Sequence, residues 1–224
     1  MAIADMRTYL ADVVKQLMLP WPENRAVNIV CHGHSVPAGY FATPMVDTFN
    51  AYPHLVHKAL KDRFPFAVIN VIVTAIGGEN SESGAARFEQ DVLGNRPRVL
   101  AIDYGLNDRA IGLEKARKSW RYMIEKALGQ GIKVLLLTPT HDVSGLSDPS
   151  AEEWKLLKKH SEQIRALADE YNVGLVDSFR AFEKYVQSGG DVTDLLSWSN
   201  HPNRKGHEIV ATEIMRWFAI LTAA

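Results

Sequence analysis

The sequence holds a single cysteine, Cys31, in 224 residues, so it has no internal disulfide framework. It has no excess of charge either. Its 25 Lys and Arg against 26 Asp and Glu leave a formal net charge of −1, and no broad basic field favours nucleic acid or an anionic membrane. Nowhere does an apolar run approach the ~20 residues of a membrane-spanning helix. The opening segment MAIADMRTYLADVVKQLMLPWPENR is interrupted by charges and lacks the apolar core of a signal peptide. The compartment expected from these absences is the cytoplasm. No repeat, low-complexity run or linker-like stretch divides the chain, which is long enough for one substantial core.

The remaining composition, 46% apolar and 23% charged, is that of an ordinary globular protein. In the first 22 residues, Met6, Tyr9, Leu10, Val13, Val14 and Leu17 recur at helical spacing, which predicts an amphipathic helix over 1–22 packed on a single domain of residues 1–224. Short β-rich apolar runs then appear at 27–31, 67–74, 99–104, 133–138 and 173–176. Longer amphipathic patterns separate or follow them, near 52–63, 83–93, 111–129, 150–171, 178–187 and 203–221. Strand–helix alternation at this spacing implies βαβ units. The expected fold class is α/β, a three-layer α/β/α sandwich around a five-stranded parallel sheet.

In such sheets the chemistry gathers outside the carboxyl ends of the strands. There the sequence places His32, Gly33, His34 and Ser35 after the first strand, and Gly77, Gly78, Glu79 and Asn80 after the second. Gly105, Asn107 and Asp108 follow the third, and His141 and Asp142 the fourth. The segment SWSNHPNRKGHE, with His201, Asn203 and His207, precedes the last helical pattern. A serine hydroxyl needs a base to become a nucleophile, and the tetrahedral intermediate needs donors at its oxyanion. Ser35 offers the nucleophile and His201 the base. The N–H groups of Ser35 and Gly78 and the side-chain amide of Asn107 offer the donors.

The order of these blocks resembles the SGNH hydrolases, the GDSL-type esterases and lipases. That family carries Gly-Asp-Ser after strand one, a glycine after strand two, Gly-x-Asn-Asp after strand three and a C-terminal Asp-x-x-His. Here the blocks read Gly33-His34-Ser35, Gly78, Gly105-Leu106-Asn107-Asp108, and His201 followed by PNRKGH. The resemblance spans residues 27 to 215 and implies a flavodoxin-like SGNH fold. It also implies Ser35 as nucleophile, His201 as general acid and base, and Ser35, Gly78 and Asn107 as oxyanion donors. Asp108 is expected to brace its loop.

The chain departs from the family at two positions. His34 replaces the acid of the first block, and Trp198 stands three residues before His201 where the family has its triad aspartate. Either a backbone carbonyl, that of Trp198 or Ser199, orients His201, or a displaced acid such as Asp194 or Glu79 does, or activity is impaired. Tyr40, Phe41 and Trp198 are candidates for walling a substrate pocket.

The function expected is a serine esterase cleaving short acyl esters, O-acetyl groups on carbohydrates foremost, with no cofactor and no metal. Its partner is then a small ester, and composition leaves the oligomeric state open. Two alternatives are a non-catalytic carbohydrate- or partner-binding domain, and a metal-dependent hydrolase built on His32 and His34. The sequence also lacks the G-x-G-x-x-G of a dinucleotide-binding turn after its first strand.

Overall fold

The structure, a computed structural model, describes residues 2–146 and 148–220. Its sheet is built from β1 (Ala26–Gly33), β2 (Val68–Val73), β3 (Val99–Asp103), β4 (Lys133–Leu137) and β5 (Gly174–Val176). All pairings are parallel, in the order β2-β1-β3-β4-β5. Each expected strand lies within a residue or two of its place. The central strands read as near-continuous apolar runs because both faces of the sheet are covered there, as is typical of parallel sheets, whereas the edge strand β2 leaves Val68 and Val73 exposed.

Side chains alternate along the strands and feed two cores. Ile29 and Cys31 of β1 and Val99 and Ala101 of β3 join one core with Val56, Phe182 and Ile214. That core is roofed by α1 (Ala11–Leu17), α3 (Tyr52–Arg63), α8 (Ser178–Gln187) and α9 (Arg204–Met215). Val30, Leu100 and Ile102 point the other way, to Phe88, Trp120, Met123 and Leu167. These belong to α5 (Phe88–Asp91), α6 (Leu113–Leu128) and α7 (Glu152–Tyr171). Of two short helices, α2 (Ser35–Ala38) opens directly off the end of β1, and α4 (Ser81–Ala86) follows a loop over 74–80 after β2.

Three helical segments differ from expectation. The N-terminal helix is regular only over Ala11–Leu17. Before it, the Asp5 carboxylate accepts from the N–H groups of Arg7 and Thr8 at 3.1 and 3.0 Å, a local bonding pattern that competes with helix. The segment expected at 83–93 is broken into α4 and α5 at Arg87, whose guanidinium turns to Glu79 and Asp91. The last helix ends at Met215 and passes into a tight turn over Arg216–Phe218, and position 221 of the expected span lies outside the described residues.

The chain runs from β1 outward to β2 and then back to β3 on the other side of β1, so the topological switch point lies between the ends of β1 and β3. Gly33 is level with Asp103 there. A side chain at position 33 would strike the Asp103 carbonyl oxygen, so glycine lets the two strand ends close up.

Candidate active site

Ser35 sits at this switch point. The strand ends on Gly33, and His34 caps α2 by accepting the Val36 N–H on its Nδ1 at 3.3 Å. Ser35 is the first residue of that helix, where a backbone N–H has no intrahelical acceptor. The Ser35 hydroxyl donates to His201 Nε2 at 2.9 Å. Both residues are 7% exposed, shielded from bulk water but open to a small ligand.

The loop carrying His201 is tied on several sides. Ser197 N–H donates to the His201 carbonyl at 2.9 Å, and Val143 N–H to the Ser199 carbonyl at 2.9 Å. Asn203 caps α9 by accepting from Gly206 N–H at 3.1 Å, and its amide donates to the Asp194 carbonyl at 2.9 Å. The imidazole itself is oriented by a main-chain group: His201 Nδ1–H donates to the Phe41 carbonyl at 2.8 Å. A carbonyl can only accept, so this bond assigns the proton to Nδ1 and leaves the Nε2 lone pair for Ser35. Burial holds His201 below the ordinary histidine range, the Phe41 carbonyl works against that by favouring the protonated ring, and nearby His34 adds to the lowering. The ring is therefore a neutral base at neutral pH.

Phe41 is fixed in turn. Its N–H donates to the Met45 carbonyl at 3.0 Å, and its ring stacks on His207 with centroids 5.2 Å apart. His207 Nδ1 accepts the Tyr52 N–H at 3.2 Å, so the second histidine of HPNRKGH is a buried support for the first. Phe41 is a candidate for the substrate pocket from sequence, but its side chain is packed against His207 and the atom it presents to His201 is the carbonyl oxygen. Tyr40 does border the site, with its ring 6.2 Å from that of His201 and against Gly77. Trp198 is 56% exposed at the rim of the same loop.

Neither candidate carboxylate reaches His201. Asp194 completes a capping box with Asp191 and accepts from Tyr185 Oη at 2.9 Å. Glu79 is bound by Arg87, whose Nε donates to it at 3.0 Å. Nor is the orienter the carbonyl of Trp198 or Ser199, the latter accepting from Val143 N–H: the Phe41 carbonyl, 160 residues away in sequence, takes the imidazole instead.

On the β2 and β3 side, Gly78 has φ 81°, in the left-handed region where glycine is unstrained. Asn107 spends one amide hydrogen on the Glu79 carbonyl at 2.8 Å, which fixes the side chain and leaves its second N–H for a ligand. Both line a cavity of about 370 Å³ with Leu106 and Arg109. Asp108 accepts from Ser81 N–H at 2.8 Å and Trp120 Nε1–H at 2.6 Å, and burial pushes it up to about 6. It braces the Gly-x-Asn-Asp turn.

His32 and His34 serve different neighbourhoods. His32 Nδ1 meets Thr74 Oγ1 at 2.9 Å and its Nε2 meets the Gly84 carbonyl at 3.2 Å, with burial lowering its pKa to about 4. His34 lies beside Ser35 and Asp103. Among the described residues no group of three His, Cys, Asp or Glu side chains is placed to hold a metal ion, so the alternative of a metal site on His32 and His34 finds no further ligand there. Two groups beside the site are not singled out by the sequence: the Phe41 carbonyl, and the buried Asp103, whose one available signal is an acid ending an otherwise apolar strand.

Residues 31–209 match the model of the GDSL-like lipase/acylhydrolase family. The chain is 28% identical over 173 residues to the lipoprotein YqeF of Bacillus subtilis, covering 63% of this chain and 70% of that one. It is 26% identical over 168 residues to an acetylxylan esterase of Geobacillus stearothermophilus, covering 68% of this chain and 74% of the relative. The crystal structure of Axe2, an acetylxylan esterase from Geobacillus stearothermophilus, superposes with a TM-score of 0.75 at 21% identity, over 87% of this chain and 95% of that one. No helix among the described residues is long and apolar enough to cross a membrane. The chain belongs to the GDSL-like lipase/acylhydrolase family and is a carboxylic ester hydrolase.

Proposed function

We propose that this hydrolase is a serine esterase acting on short acyl esters, O-acetyl groups of carbohydrates foremost, through Ser35 and His201. The observation that carries the reading is the 2.9 Å bond from the Ser35 hydroxyl to a His201 ring whose tautomer is already set. His201 Nε2 takes the Ser35 proton as Oγ attacks the ester carbonyl carbon. The carbonyl electron pair moves to its oxygen, which rests on the N–H groups of Ser35 and Gly78 and the free amide hydrogen of Asn107. The imidazolium then protonates the departing alcohol. Water, deprotonated by His201, attacks the acyl-enzyme, and the proton returns to Ser35 Oγ as the acid leaves.

The short acyl group is supported by the near-complete burial of Ser35 and His201, each 7% exposed. The sugar is supported by the acetylxylan esterase relative, by Tyr40, whose ring lies beside that of His201, and by Trp198, exposed three residues before it in the chain. A cytoplasmic location is part of the proposal. The lipoprotein relative supplies the contrary case, and fractionation of expressing cells separates the two. The activity test is p-nitrophenyl acetate turnover by wild type and Ser35→Ala, each with and without EDTA. The expected result is turnover indifferent to EDTA and lost in Ser35→Ala. Turnover that survives Ser35→Ala but not EDTA moves the chemistry to a metal. An inactive wild type across a panel of acyl esters and acetylated sugars favours a binding domain.

A further inference from the structure

Ser35 Oγ has a second imidazole beside it. His34 Nδ1 lies 3.4 Å from Oγ, against 2.9 Å for His201 Nε2. The other nitrogen of the His34 ring, Nε2, faces Asp103 Oδ1 at 3.5 Å. Asp103 Oδ2 accepts from the Tyr52 hydroxyl at 3.3 Å, and His34 and Asp103 are buried to 1% and 5% exposure. A carboxylate, an imidazole and the Ser35 oxygen thus lie in triad order, on the histidine next to the serine in sequence. At 3.5 Å His34 Nε2 makes no hydrogen bond to Asp103, and the Ser35 hydroxyl hydrogen is donated to His201. The acid absent from the His201 side is present on the His34 side. The Val36 N–H donating to His34 Nδ1 makes that nitrogen the lone-pair one and puts the ring proton on Nε2, toward Asp103.

We propose that His34, backed by Asp103, is a second proton acceptor for Ser35. The inference rests on the serine-esterase reading. In this route the Ser35 proton passes to His34 Nδ1 while the Oγ electron pair bonds to the acyl carbon and the carbonyl pair moves to oxygen. Nδ1 gives up the long Val36 bond, and the resulting imidazolium keeps its Nε2–H facing the Asp103 carboxylate. The Nδ1 proton goes to the alkoxide oxygen as its bond to the acyl carbon breaks. In deacylation, a water proton follows the same path and ends on Ser35 Oγ. The shorter contact makes His201 the main base, and His34 carries the reaction when His201 is absent. His34 touches the reacting oxygen and is a catalytic residue in this sense, and Asp103 is a positioning residue acting through it.

The test compares p-nitrophenyl acetate kinetics of wild type, His201→Ala, His201→Ala/His34→Asn and His201→Ala/Asp103→Asn, with Ser35→Ala/His201→Ala as baseline. Asparagine at 34 preserves a side-chain acceptor at the helix cap. His201→Ala is expected to keep turnover above the baseline. Adding His34→Asn lowers its kcat a further ~10²-fold with KM unchanged, the lower end of what a general base supplies. Asp103→Asn lowers it in the same direction by less. Equal kcat for His201→Ala with and without His34→Asn overturns the inference, as does His201→Ala already at the baseline. If the His34 double variant does not fold, the Asp103 double variant decides: a kcat equal to that of His201→Ala overturns the inference. An inactive wild type overturns the esterase reading and this inference with it.

Discussion

The Phe41 carbonyl oxygen lies 2.8 Å from His201 Nδ1, so a main-chain acceptor occupies the role that a carboxylate fills in a Ser-His-Asp triad. A neutral carbonyl fixes the tautomer and the ring orientation as a carboxylate does. It brings no negative charge to the imidazolium, and the low pKa of His201 is consistent with that. The position of this carbonyl depends on the Phe41 ring, held against His207.

Truncating that ring is therefore expected to act on the chemistry through the backbone. Phe41→Ala loses a buried aromatic, at about 3–5 kcal/mol of stability. A displacement of the carbonyl by ~1 Å lowers kcat about 10²-fold, with KM nearly unchanged. Denaturant unfolding and steady-state kinetics on the same preparation separate the two effects. Phe41→Leu, which keeps bulk against His207, should recover most of both.

Restoring the family aspartate should do little. Trp198 is exposed at the rim, and His201 Nδ1 already has its partner. Trp198→Asp is expected to change kcat by less than ~10-fold, whereas supplying a missing orienting group can be worth about 10⁴. A rise of that larger size would mean that the Phe41 carbonyl does not orient the ring.

Asn107 braces the Glu79 carbonyl and is the proposed side-chain oxyanion donor. Asn107→Ala should lower kcat about 10²- to 10³-fold, the usual loss for one oxyanion donor. It also releases the Glu79 carbonyl held at 2.8 Å, so a thermal melt should show a lower midpoint. Loss of stability with unchanged kcat would leave the residue a brace alone.

Two pH effects follow from the histidines. The kcat/KM profile needs neutral His201, and its acid limb should inflect below the 6.5 of an ordinary histidine. Stability should also fall on acidification. Burial lowers His32, His141 and His160 to about 4 and His207 to about 3. The unfolded chain binds those protons first, so stability is full above pH ~6.5 and declines toward pH ~4, by up to about 1.4 kcal/mol per pH unit for each ring. Asp108, raised to about 6, has the opposite sign but is one group against four. Urea midpoints measured from pH 7.5 to 4.5 check the slope, and a flat profile would contradict it.

The five strands were legible because a parallel sheet covered on both faces needs uninterrupted apolar runs, and their spacing leaves room for little but crossover helices. Ser35, Gly78, Asn107 and His201 could be proposed as one site because strand ends in one sheet share one crevice, and the structure joins Ser35 to His201. The orienter of His201 could not. A backbone carbonyl leaves no residue-type signature, and Phe41 reads as an aromatic wall until its ring is seen stacked on His207. Asp194 was closer to His201 in sequence, yet its carboxylate completes a local capping box. Asp103 was passed over because an acid at a strand end shows no partner until β1 is paired in register with β3 and Gly33 brings His34 alongside.

The central claim is that Ser35 is the nucleophile. Its most direct test is treatment of the native protein with a fluorophosphonate ester, followed by peptide mapping by mass spectrometry. The account predicts one adduct per chain, on Ser35, with loss of esterase activity in proportion to labelling. An adduct on another residue, or full labelling of Ser35 with hydrolysis intact, would contradict it.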